Sequence, residues 1–457
     1  MKAVAKIVCL LMLGIALTFA SYARGSSTLW GSIKNPAIAI QLKSFVAEKE
    51  AQANAVTNEM PKEFKTFFVA AQKGDWLEVS NIFENLRDGS APKNPDWHGT
   101  QWEAVREIWG AFSAFGLGNE KYSALFGNDI IESIPPGSIY FGGTDSGRFI
   151  VTAMQKSHVD AEPFFTLTQN AQADNTYLDY LRSMYGNKIY IPTLNDATAC
   201  FQEYGEDGAK RLQNHQLEPG ENISIDKNGR IEVSGQVAVI KITGLIAKVV
   251  FDKNNNREFY VDEDHPFEWM YPCLEPHGLI LKLDHEPLAE LSDQTIQQDR
   301  DYWTKTISPM IGSWVGDQTT VNDIAAFAEK VFLRHDFSGF VSDPGYVKNN
   351  YSHTMFSKAR SSIGDLYAWR AKHARNPLER ERMNNAADFA LRQAWALCPY
   401  SPVAVSRYVN LLMEENRPSD ALLVAETAVK FPSFGARFDP KQMQDLVVQL
   451  KQYLKAK

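Results

Sequence analysis

The sequence predicts an α/β fold. Its central domain is built on a parallel, Rossmann-like sheet, with a helical region before it and a helical domain after it. Three observations carry this reading. Between Pro135 and residue 298, short apolar runs are followed by Gly-, Asp- and Asn-rich loops and then by helical patterns. That succession marks parallel strands joined by crossover helices. From Pro36 to Phe115, and again from Asp299 onward, apolar residues recur at helical spacing instead. Near the C-terminus a set of small residues repeats at a fixed interval. These changes divide the chain into residues 1–23, 24–134, 135–298 and 299–457.

The first segment reads as a secretory signal peptide. Lys2 and Lys6 precede an apolar run from Ile7 to Ala20, and Ser21 and Ala23 form a small-residue cleavage site before Arg24. The run is shorter than the roughly 20 residues a membrane-spanning helix needs; retention as an uncleaved anchor is the alternative. The next most apolar stretch, Val237–Phe251, is interrupted by Lys241 and Lys248 and reads as a buried core element. No membrane span is expected once the signal is removed.

In the second segment, Phe64, Phe67, Phe68 and Ala71 follow Pro61 at helical spacing, and Gly74-Asp75 breaks the run. Trp76, Val79, Ile82, Phe83 and Leu86 mark a second stripe, so a helical hairpin is predicted. Residues 89–96 form a loop, and Gln101–Phe115 a further helix stopped by Gly116 and Gly118.

The third segment opens with a strand at Ser138–Phe141, a loop through Gly147 and a helix around Phe149–Met154. A second unit follows: strand Phe164–Thr168, loop Gln169–Asn175 and helix Tyr177–Tyr185. A third strand is predicted at Ile189–Ile191 and a helix at Asn195–Tyr204. Glu206–Gly235 reads as a surface loop or small hairpin, Val237–Val250 as a helix despite its β-branched residues, and Glu258–Val261 and Gly278–Leu283 as strands.

In the last segment, Ala387, Leu391 and Ala394 recur as Ala421, Ala425 and Ala428, 34 residues later, and Pro399 and Pro432 are 33 apart. This is the tetratricopeptide period, with small residues where helices approach closely. Such helices are expected over residues 357–457, with a closing helix at Met443–Leu454.

Composition narrows the functions. The chain has 47 Lys+Arg against 55 Asp+Glu, a net charge of −8, and losing Lys2 and Lys6 takes it to −10. No basic cluster is present, which argues against nucleic-acid binding. Three cysteines follow the signal segment, Cys200, Cys273 and Cys398, so at least one is unpaired, and none has metal-ligand spacing. No cofactor or metal is expected, and the GxxxxGK[ST] phosphate loop is absent.

Four stretches resemble a known family: Gly137–Asp145 (GSIYFGGTD), Phe165–Asn170 with Asn175–Leu181, Arg257–Val261 (REFYV), and Pro276–Leu283 (PHGLILKL). Their order is similar to the extracytoplasmic region of a bacterial multi-pass membrane family of unknown function, related to membrane-embedded protein O-mannosyltransferases. The resemblance implies an α/β region followed by tetratricopeptide-like helices, and a link to envelope glycans. This chain lacks the multi-pass region that carries the sugar-donor site and catalytic acid in such enzymes, so their activity does not carry over.

The candidate site lies in the two polar loops beyond the first strands, where open α/β sheets bind ligands. Its residues are Asp145, Ser146 and Arg148 from one loop, and Asn170, Asp174 and Asn175 from the other. Carboxylates and amides there would hold sugar hydroxyls or a cation, and Gly142, Gly143 and Gly147 would let a ligand approach the backbone. The plainer role is capping: Asp145 or Ser146 for the first helix, Asn175 for the next. The acidic run Asp262–His265 is expected to be solvated, His277 to be structural, and Cys200 to be a small core residue. His335 and Asp336, adjacent on a helix, would point apart. No catalytic grouping can be assembled. The expected function is an exported, periplasmic binding or scaffold protein that holds a protein partner on its C-terminal helices. The alternative is an accessory or enzyme of envelope glycan assembly with a carbohydrate ligand in the polar loops.

Overall fold

The computed structural model describes residues 29–56, 60–87, 99–142, 146–158, 161, 163–263, 265–431 and 440–456. Residues 1–23, read as a signal peptide from the sequence, and Gly143, Thr144, Asp145, Asp264 and Pro432 lie outside the described residues.

Six helices come first: α1 (Leu29–Ser32), α2 (Pro36–Val56), α3 (Lys62–Lys73), α4 (Trp76–Arg87), α5 (Gly99–Gly116) and α6 (Glu120–Ser133). The predicted hairpin is α3–α4. Gly74 ends α3 in the left-handed region (φ 70°), which lets its N–H reach the free carbonyls of Ala70 and Ala71. Phe64, Phe67 and Phe68 are fully buried, as the spacing requires.

The central segment runs β1 (Ile139–Gly142), α7 (Ser146–Met154), β2 (Phe165–Thr168), α8 (Asn175–Tyr185), α9 (Leu194–Gln213), β3 (Asn222–Ile225), β4 (Ile231–Ser234), α10 (Gln236–Lys253), β5 (Phe259–Asp262), β6 (Leu274–His277) and β7 (Ile280–Leu283). The main sheet has the order β2-β1-β5-β7-β6. β2, β1 and β5 are parallel; β7 and β6 are antiparallel. The α/β class holds, but the sheet is mixed rather than wholly parallel.

Ile189–Ile191 is not a strand. The side-chain amide of Asn254 takes a sheet partner's place there, accepting from Tyr190 N at 2.8 Å and donating to Tyr190 O at 3.0 Å. The third parallel position belongs to β5. Between Glu206 and Gly235, α9 continues to Gln213 and β3–β4 forms an antiparallel hairpin. A capping box between Thr193 and Asp196 starts α9.

The last segment is α11 (Asp293–Ile311), α12 (Val321–Phe327), α13 (Pro344–Val347), α14 (Asn350–Lys372), α15 (Pro377–Leu397), α16 (Pro402–Glu414), α17 (Pro418–Ala428) and α18 (Pro440–Lys455). Proline opens α15, α16 and α17 where its missing N–H costs nothing. The 34-residue recurrence places Ala387, Leu391 and Ala394 on α15 and Ala421, Ala425 and Ala428 on α17, all buried.

One apolar core runs from Leu29 to Leu450, so the helical, central and C-terminal segments share it; Tyr204, Ile223 and Ala238 form a small separate core beneath the hairpin. The helices are bound to the sheet region by polar contacts too. Arg370 on α14 donates to the carbonyls of Pro272 and Leu274 at 3.2 and 3.0 Å. Among the described residues no helix is long and apolar enough to cross a membrane.

His353, buried in α14, sets a pH limit. Its Nε2 lies 2.6 Å from the Tyr346 carbonyl, and Nδ1 lies 2.8 Å from the Tyr400 hydroxyl. Burial lowers its pKa from 6.5 to about 3. Between those values the unfolded chain binds a proton that the folded chain does not. Stability therefore falls as pH drops from 6.5 towards 3, by about 1.4 kcal/mol per pH unit for this one group. Urea midpoints measured from pH 7 to 4.5 should show this slope, and His353→Gln should flatten it.

Candidate functional site

The three parallel strands end level: Gly142 pairs with Thr168 on one side and Asp262 on the other. The loops that follow them therefore leave the sheet at one edge. From β1 the chain crosses through α7 to β2, then returns to β5 on the other side of β1. The point between β1 and β5 is a topological switch, the usual place for a ligand crevice in such sheets.

At the switch point the chain supplies its own anion. The Asp262 carboxylate, at the end of β5, lies against Gly147 in the first turn of α7. A Cβ on Gly147 would sit 1.5 Å from Asp262 Oδ2. The Tyr140 hydroxyl lies 3.0 Å from that oxygen and 3.2 Å from the Gly147 carbonyl. Burial, with Asp262 beside it, pushes the Tyr140 phenol well above its usual pKa, so it stays protonated as a donor. Gly147 thus admits a side chain of the protein rather than a ligand. The helix start, where a phosphate would be stabilised, already faces a carboxylate.

Within the acidic run, Asp262 is half-buried and Glu263 is buried, while His265 is exposed. Glu263 is 3% exposed. Asn170 Nδ2 donates to Glu263 Oε1 at 3.3 Å, and Gln169 Nε2 donates to the His265 carbonyl at 3.0 Å. These bonds join the loops after β2 and β5. From above, Ser362 on α14 donates to the Glu263 carbonyl at 2.6 Å. Arg407 on α16 reaches Asp365 on α14 at 3.3 Å and His265 Nδ1 at 3.4 Å, and Tyr271 donates to Asp365 at 2.5 Å. The C-terminal helices therefore wall one side of the edge.

The predicted residues separate into three groups. Asn170 stands exposed at the edge, in the expected place. Asp174 and Asn175 are exposed, but Asp174 is the N-cap of α8, accepting from Thr176 N at 2.9 Å and Thr176 Oγ1 at 2.7 Å. The cap is Asp174 and not Asn175, which is the first helical residue. Asp145 lies outside the described residues, and of Ser146 only the backbone, opening α7, is described.

Arg148 turns inward. It is 1% exposed, and its Nη2 donates to Glu103 at 2.9 Å and Glu107 at 3.0 Å, both on α5. Lys49 on α2 pairs with Glu107 at 2.7 Å, and the Tyr180 hydroxyl donates to Glu107 at 2.6 Å. Burial alone would raise the Glu107 pKa, but Lys49 and Arg148 outweigh it and hold it at about 2. The two fully buried cations and the two anions cancel, and the partly exposed Arg106 also pairs with Glu103 at 2.6 Å. One signal of this network was available: Glu103 and Glu107 stand four apart within a helix whose neighbours Ala104, Val105 and Ile108 are core residues.

Cys200, Cys273 and Cys398 are unpaired and buried. Burial pushes the Cys200 thiol up to about 11 and Cys398 to about 12, so neither is poised as a nucleophile. His277 is structural: its Nε2 lies 3.0 Å from the Ser133 carbonyl. An open depression of about 800 Å³ lies elsewhere, between α11 and Val341–Asp343, and contains none of the predicted residues. No family model, curated protein or solved structure matches this chain.

Proposed function

We propose that this is an exported envelope protein that binds a neutral, hydroxyl-rich ligand of the carbohydrate class at the carboxyl edge of β2, β1 and β5. The observation that carries this reading is the Asp262 carboxylate at the start of α7. With Glu263 and Asp365 nearby it opposes an anionic ligand, and it fills the position where a nucleotide phosphate would bind. Amides and carboxylates at such an edge suit hydroxyl groups, as at Asn170. The signal-like segment at residues 1–23 supports export, and the resemblance supports envelope glycan biology.

Thermal unfolding of the chain should respond to a neutral monosaccharide or polyol and not to inorganic phosphate or nucleotide sugars. A ligand at 100 times its dissociation constant adds about 2.7 kcal/mol of stability. Asn170→Ala should remove the response. Equal binding of phosphate-bearing compounds would refute the reading.

A second reading, a scaffold holding a protein partner on tetratricopeptide-like helices, is favoured by the 34-residue recurrence on α15 and α17. It ranks below the first because α14 turns Ser362, Asp365 and Arg370 toward the sheet region or its loops. That leaves α16–α18 for a partner.

A further inference from the structure

Behind the proposed site, α7 and β2 face each other through a seam of polar side chains. Arg148 and Thr152 lie at successive turns of α7, and Gln155 follows directly after its end, its N–H still bonded to the Val151 carbonyl, so the three share one side. Thr166 and Thr168 alternate onto one face of β2. Gln155 Nε2 is 3.5 Å from Thr166 Oγ1. The Arg148 guanidinium lies 5.2 Å from the Tyr177 ring centre, and the Tyr177 oxygen accepts from Thr168 N at 2.6 Å. Gln172 Nε2 donates to the Thr168 carbonyl at 2.8 Å.

This seam is polar and buried, and its hydrogen bonding is incomplete. Arg148 Nη1, Thr152 Oγ1, Gln155 Oε1, Thr168 Oγ1 and Gln172 Oε1 are all shut from solvent and have no hydrogen-bond partner among the described residues. Buried polar atoms are nearly always paired, with protein or with ordered water. Turning the Gln172 amide would not help, since it would break its bond to the Thr168 carbonyl. The missing occupant must both accept, from Arg148 Nη1, and donate, to the glutamine oxygens. An uncharged occupant fits, because the fully buried charges Lys49, Arg148, Glu103 and Glu107 balance, with the partly exposed Arg106 at Glu103 besides. Hydroxyl oxygen meets all three demands.

We propose that this seam is a hydroxyl-binding site. Water fills it when the protein is free, and a hydroxyl of the neutral ligand enters its carboxyl end between Arg148, Thr168 and Gln172. The inference rests on the ligand site proposed above and adds its floor.

The test is calorimetric titration of the full chain with a panel of neutral hexoses and polyols, comparing wild type, Thr168→Val and Asn170→Ala. A crystal structure fine enough to show water accompanies it. Thr168→Val should weaken binding about tenfold or more and lower the melting temperature. The crystal should show oxygen atoms within hydrogen-bond reach of Arg148 Nη1 and Thr168 Oγ1. Suppose instead that Thr168→Val binds like wild type and melts higher, and that the seam is dry. The inference is then overturned, and a loss confined to Asn170→Ala leaves the ligand site standing. If wild type binds no member of the panel, both fall together.

Discussion

Arg148→Ala is expected to destabilise the folded chain by about 3–5 kcal/mol, the usual cost of breaking a buried ion pair from one side. Two carboxylates depend on this guanidinium. Glu103 would keep only Arg106, whose side chain is partly exposed. Glu107 would keep Lys49 and Tyr180. Losing Arg148 also leaves this buried group short of a positive charge. The contact of the Arg148 guanidinium with the Tyr177 ring would go as well. Arg148→Lys should recover only part of the loss, since a single ammonium does not reproduce a planar fork shared by two carboxylates. Urea unfolding at pH 7 reads the difference. A loss below about 1 kcal/mol, the range of solvent-exposed pairs, would mean that bulk solvent screens the network.

The same residue shows where sequence reasoning stopped. The Gly-rich loop beside Arg148 announced a strand-to-helix turn, and β1, α7 and β2 follow from local pattern alone. Its partners are 41 and 45 residues away on α5, and no local pattern reveals such pairs. Asp262 and Glu263 were misread for a related reason. A run of acids looks solvated until a distant helix covers it, and Ser362 of α14 is 99 residues on from Glu263. The segment 189–191 has strand composition, yet Asn254 satisfies its backbone from a side chain, which composition does not encode. β6 follows directly on Tyr271-Pro272-Cys273, which carries little strand signal, and contains Pro276 itself. By contrast the small residues of α15 and α17 were legible because helix contact demands them at a fixed interval.

Asp299→Ala and Arg360→Ala are each expected to cost about 3–5 kcal/mol. Arg360 on α14 donates through Nη1 to both oxygens of Asp299 on α11, at 2.8 and 2.9 Å, and through Nε to Gln393 on α15 at 2.9 Å. The Tyr367 hydroxyl donates to Asp299 at 3.0 Å. Both charged side chains are at most 1% exposed, so removing either leaves the other desolvated without its partner. The double variant Asp299→Leu/Arg360→Met separates this penalty from the net value of the pair. It should be far less destabilised than the sum of the single changes, because apolar side chains of similar volume remove both buried charges together. A double variant as unstable as that sum would show that the pair specifies how α11, α14 and α15 meet. The outcome bears on the proposed site as well. α14 carries Ser362 and Asp365, which hold the wall over the loop after β5. If the double variant folds but its α14 is displaced, ligand response should be lost while stability is kept. If α14 keeps its place, the response should survive, and Asp299–Arg360 then serves stability alone.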